Sequence, residues 1–114
     1  MTDVFISAPM ARFKEGSSFT ATAHFRDSSN AAEVPTTSSY RIDCLTTGKE
    51  ITDWTSLTPA VSNSIAITAT ENAIQNQTNT TEKKQLTVAA NPDGATQVRD
   101  TIEWKVVNIA FYDA

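Results

Sequence analysis

The run Ser17-Ser18-Phe19-Thr20-Ala21-Thr22-Ala23-His24-Phe25-Arg26-Asp27 alternates apolar and polar residues without a break from Phe19 to Arg26. A period of two is the mark of a half-buried strand, because successive side chains leave a pleated backbone on opposite faces. Phe19, Ala21, Ala23 and Phe25 therefore point to a core, and Thr20, Thr22, His24 and Arg26 to solvent. Next along the chain, Tyr40, Ile42 and Cys44 share one face of a second strand, with Arg41 and Asp43 on the other. Thr46-Thr47-Gly48-Lys49 reads as a turn whose glycine can take positive φ, and Glu50–Leu57 as the returning arm of a hairpin. Trp54 is out of phase with Ile51 and Leu57, which predicts a bulge or a strand used on both faces.

The second half follows the same grammar. Ser64–Thr70 sets Ile65, Ile67 and Ala69 on one face, Lys84–Ala90 places Leu86 and Val88 inward, and Arg99–Asn108 aligns Ile102, Trp104 and Val106. The polar stretches Ser28–Ser38 and Glu71–Thr81 read as surface loops, and Asn91-Pro92-Asp93-Gly94 as a tight turn. No stretch carries sustained helical periodicity. About seven or eight short strands without a helix to cover a sheet leave a sandwich or a barrel. Its core is predicted to hold Phe19, Phe25, Tyr40, Ile42, Ile65, Ile67, Leu86, Val88, Ile102, Trp104 and Val106.

Composition agrees with this pattern and excludes several functions. The 114 residues make one domain, 1–114, and include 18 Thr and 10 Ser. Threonine suits the solvent face of a sheet better than a helix. A net charge of −4 speaks against a nucleic-acid backbone or an anionic membrane as the main partner. No apolar run approaches the ~20 residues of a membrane span. Met1-Thr2-Asp3-Val4 does not open a basic-then-apolar leader, so synthesis in a cytoplasm is expected. One Cys and one His leave no pair for nucleophilic catalysis and too few ligands for most metal sites. The expectation is a protein that is not an enzyme and carries no cofactor and no metal.

Four stretches together carry a resemblance. They are Gly16–Ala21, Pro35–Asp43, Thr47–Thr55 with its Thr47-Gly48 turn and Trp54-Thr55, and Glu103-Trp104-Lys105-Val106-Val107-Asn108. From about Gly16 to Asn108 the chain resembles the small immunoglobulin-like domains encoded in bacteriophage virion gene clusters. The resemblance implies an immunoglobulin-like antiparallel β-sandwich of about seven or eight strands, in a structural or adhesive virion role. A lone cysteine rules out the inter-sheet disulfide of antibody-type domains. The expected function is a capsid decoration (cement) protein that binds the assembled shell. A neck, tail or head–tail junction component is the alternative within that class. Outside it, the alternative is a carbohydrate-binding adhesion module. Expected partners are other virion proteins, the major capsid protein or neck and tail proteins, with self-association or a glycan as alternatives.

Individual side chains carry narrower expectations. His24 reads as an ordinary histidine on a polar face and Cys44 as a buried inert thiol. Asp43, Glu50 and Asp53 flank the hairpin as a solvated face, without the oxygen spacing of a calcium loop. Trp54 is the candidate for stacking on a sugar, whereas Trp104 shares its face with Ile102 and Val106 and belongs to the core. The apolar residues Phe5, Ile6 and Phe13 in segment 1–13, and Ile109, Phe111 and Tyr112 in segment 109–114, are the candidate docking residues. They lie outside the strongest strands, and exposed apolar patches mark interaction sites.

Overall fold

The computed structural model of the chain describes residues 3–8, 12–27, 29, 31–91 and 97–108. It contains β1 (Asp3–Ser7), β2 (Arg12–Lys14), β3 (Phe19–Arg26), β4 (Thr37–Cys44), β5 (Lys49–Ser56), β6 (Ser62–Ile67), β7 (Thr81–Asn91) and β8 (Val98–Val107). A three-stranded sheet, β1-β3-β6, faces a five-stranded sheet, β2-β8-β7-β4-β5. This is the strand distribution of an immunoglobulin-like sandwich, with the first strand divided between the two sheets. β1 pairs antiparallel with β3, after which the chain crosses over and β2 pairs parallel with β8. That one parallel pair departs from the expected antiparallel arrangement. It follows from a single segment serving both sheets in turn.

The alternation read in β3 sets the core. Phe19, Ala21, Ala23 and Phe25 are buried, and register joins them to Val4 on β1 and to Ile65 and Ile67 on β6. Ile42, Leu86, Val88, Trp104 and Val106 supply the opposing face, while Tyr40 and Ile102 are half-buried and pack on its rim. Ala69 is exposed beyond the end of β6. An aromatic chain links the two sheets. Phe13 stacks on Phe19 with ring centroids 4.2 Å apart, and Phe19 meets Trp104 edge-on at 5.2 Å.

Two turns bear on the strand phases. Gly48 takes φ of 73° and its N–H bonds the Cys44 carbonyl, closing the β4–β5 hairpin as expected. The register between β4 and β5 shifts on both sides of Ile42. This irregularity is the bulge that Trp54 signalled, and it turns the indole outward. The Asn91-Pro92-Asp93-Gly94 turn falls largely outside the described residues, although β7 and β8 pair as the arms of a hairpin there.

Segment 71–81 is a correction. It does not lie on the surface as a purely polar loop but plugs one end of the sandwich. Asn72 and Ile74 are buried, and the Asn72 side chain bonds Trp104 Nε1 at 2.8 Å and the Ser17 carbonyl at 2.8 Å. β7 also begins earlier than expected, so Glu82 and Lys84 continue the inward face of Leu86 and Val88. Both are completely buried and their charged groups are 3.1 Å apart. Glu82 further accepts from the Gln75 and Asn76 backbone N–H groups and from Asn79 Nδ2, while Lys84 Nζ donates to the Ala73 carbonyl at 2.8 Å. Isolated ions at such a depth would cost too much to retain. Here the pair and its neighbours replace water, and they fasten the plug to β7.

Candidate functional site

The outer faces of the two sheets carry the chemistry that remains once the core is assigned. On the five-stranded sheet, Arg41, Thr87 and Thr101 lie in one cross-strand row, and Ser39, Ala89 and Arg99 in the next. The bulge sets Trp54 beside Arg41. The Arg41 guanidinium carbon lies 5.8 Å from the centre of the indole and that of Arg99 5.3 Å, both over the ring. Small residues at Ser39 and Ala89 allow Trp54 and Arg99 to reach each other across the sheet. Ala89 and Thr87 are buried although alternation turns them outward. Trp54 with its two arginines is the cover over them.

The acidic residues of the hairpin hold this cover in place. Arg41 donates to Asp43 at 2.7 and 3.0 Å and to Glu50 at 3.0 Å. Its pKa is raised, first by the hydrogen-bonded Asp43 and further by the charges of Glu50 and Asp53, against a smaller opposing effect of burial. Asp53 accepts from the Trp54 backbone N–H at 2.7 Å. The solvated acidic face expected from sequence is thus an arginine-centred brace. Among the described residues, no group of three or more His, Cys, Asp or Glu side chains is placed to hold a metal ion. Trp54 remains 37% exposed, so the ring is neither core nor a bare platform. A sugar stacking on a face held by a guanidinium would have to displace it. Trp54→Ala is expected to cost about 1–2 kcal/mol through lost apolar cover and cation–π contact. Thermal melting should show a drop of several degrees. An unchanged melting temperature would contradict the cover and free the ring for the sugar platform.

The three-stranded sheet presents a second aromatic. Phe5 is 42% exposed on the outer face, opposite His24 in the β1–β3 register. Its ring stacks on the His24 imidazole with centroids 4.5 Å apart, and the Arg26 guanidinium lies over it at 5.2 Å. His24 Nε2 is 3.3 Å from Ser7 Oγ. His24 is therefore half-buried under Phe5 rather than simply exposed. Cys44 is buried as expected, and its thiol donates to Glu82 at 3.7 Å.

The candidate docking residues divide. Phe13 is corrected: only 6% exposed, it lies within the molecule's own core, where β2 pairs with β8 and the ring stacks on Phe19. Ile6 is half-buried against the same core, and its N–H bonds Asp100 Oδ2 at 3.1 Å. Residues 3–7 and 12–13 of segment 1–13 are thus strands of this domain. Within that segment Phe5 alone of the three candidates is exposed, and it carries His24 and Arg26 against its ring. Ile109, Phe111 and Tyr112 lie outside the described residues. Leu45, Val34 and Val61 are exposed apolar residues that periodicity did not mark, since each sits in a turn or loop where alternation carries no signal.

No family model matches the chain, and no curated protein sequence matches it. Among solved structures, the chain is similar to a cohesin module from a family 33 glycoside hydrolase of Clostridium perfringens. Identity is 14% over 94% of this chain and 97% of that one, with a TM-score of 0.43. The sandwich assignment above rests on strand order and register.

Proposed function

We propose that this chain is a non-enzymatic bacteriophage virion protein, a decoration protein that binds the outside of an assembled capsid shell. The sequence resemblance supplies the virion setting. The observation that carries the binding role is Phe5, an aromatic side chain held outward on a paired strand. His24 beneath it and Arg26 over it restrict the ring to one orientation before any partner arrives. An anchor ordered in advance loses little conformational entropy on binding, and aromatic anchors dominate the energetics of protein interfaces. A decoration protein that prefers the assembled shell to free subunits stabilises the shell by mass action.

Rebinding to particles stripped of this chain tests the reading. Phe5→Ala should leave thermal stability within about 1 kcal/mol, since most of the ring is outside the core, and weaken particle binding at least about tenfold. Undiminished binding would remove Phe5 from the interface. The neck, tail or junction alternative uses the same face at another station on the particle.

A further inference from the structure

We propose that the row Arg12, Lys105 and Lys83 on the outer face of the five-stranded sheet is a binding site for a carboxylate-rich segment of a protein partner. The three residues are direct neighbours: Lys83 pairs with Lys105 across β7 and β8, and Lys105 with Arg12 across β8 and β2. All three are exposed. Like charges directly opposite in a ladder destabilise a sheet. This happens in a chain whose net charge is −4, so cations are the scarcer kind of charge. Among the described residues the row's one carboxylate partner is Glu103, 3.3 Å from Lys83 Nζ, and no ion pair joins Arg12 or Lys105 to any acid. Arg12, Lys83, Glu103, Trp104 and Lys105 line a shallow open concavity of about 370 Å³.

Protection of a sheet edge by charge accounts for Arg12, because β2 is an outer strand. It does not account for Lys105 and Lys83, which stand on strands paired on both sides. Strands are spaced about 4.8 Å apart, so the three cations span roughly 10 Å, the reach of two or three carboxylates on a short peptide segment. A long nucleic-acid backbone fits poorly. Beyond the row the same face carries Asp43 and Glu50, and three phosphate contacts alone hold a duplex only weakly. Such a segment would bind here whether or not the chain travels on a virion.

Fluorescence anisotropy with a labelled 12-residue peptide containing six glutamates tests the site on the full chain, beside a labelled 12-nucleotide single-stranded DNA and inorganic phosphate as competitor. The peptide should bind more tightly than the DNA, and binding should weaken as salt is raised. Arg12→Ser combined with Lys105→Ser should reduce peptide affinity at least about tenfold, whereas Lys49→Ser, a single cation removed elsewhere, should change it less than about twofold. Melting temperature of the double variant should stay level or rise, because the like-charge register is relieved. Tighter binding of DNA, equal losses from Lys105→Ser and Lys49→Ser, displacement by phosphate at equal charge concentration, or a lower melting temperature would each overturn the proposal.

Discussion

Glu82→Gln should destabilise the protein by about 3–5 kcal/mol, the cost of leaving a buried cation without its counter-ion. Lys84 would then face only uncharged acceptors, the Ala73 carbonyl and the amide oxygen of the substituted side chain, at a position with no access to water. The plug would also lose charge-assisted acceptance of the Gln75 and Asn76 N–H groups, which are 2.7 and 2.9 Å from the carboxylate. Lys84→Met should cost less, because Glu82 keeps four donors besides the lysine: the Gln75 and Asn76 N–H groups, Asn79 Nδ2 and the Cys44 thiol. Urea denaturation of the two variants checks the order, and equal losses would contradict it. Acid should act on the same group. Burial alone would push the Glu82 pKa up, but the bonds from Gln75, Asn76, Asn79 and Lys84 outweigh it and hold the group below its ordinary value. A carboxyl with a depressed folded-state pKa contributes its full stabilisation above the unfolded value of about 4.3, and loses it as pH falls through the folded value. Wild type should therefore weaken below about pH 4, and Glu82→Gln should show a shallower acid limb.

Trp104→Ala carries the next largest expected effect, about 3–5 kcal/mol. The indole is 2% exposed, meets Phe19 edge-on and donates to Asn72. Its removal opens a cavity where the two sheets and the plug meet. Trp104→Phe separates the contributions, since it keeps an aromatic ring but leaves Asn72 Oδ1 without its donor, at about 1–3 kcal/mol. A Trp104→Ala protein melting within about two degrees of wild type would show that the phase assigned to β8 is wrong.

Period-two alternation made most of the sandwich legible, because a strand with one buried face writes that face into every second residue. β3 shows this at full length, and Trp54 announced its bulge by breaking phase. The same rule, carried two steps back from Leu86, reaches Lys84 and Glu82. Their charge argued for solvent, and only the partners gathered from segment 71–81 make the inward position tolerable. Those partners are backbone N–H and carbonyl groups of a loop, which no side-chain pattern reveals. The core position of Phe13 is hidden in the sequence for a related reason. A three-residue strand is too short to show a period, and its parallel partner β8 lies at the other end of the chain. The candidate surfaces were legible only in part. Phe5 and Trp54 stand out as aromatics away from the main core, but Arg26 and Arg99 join them through sheet register. Likewise Arg12, Lys83 and Lys105 become a row only when β2, β8 and β7 are laid side by side.

Quantitative mass spectrometry of purified particles tests the virion reading most directly. A decoration protein should be present at on the order of hundreds of copies per particle, because a symmetric shell repeats its binding sites. About a dozen copies or fewer would move the chain from the shell to the neck or tail, and its absence from particles would contradict the account.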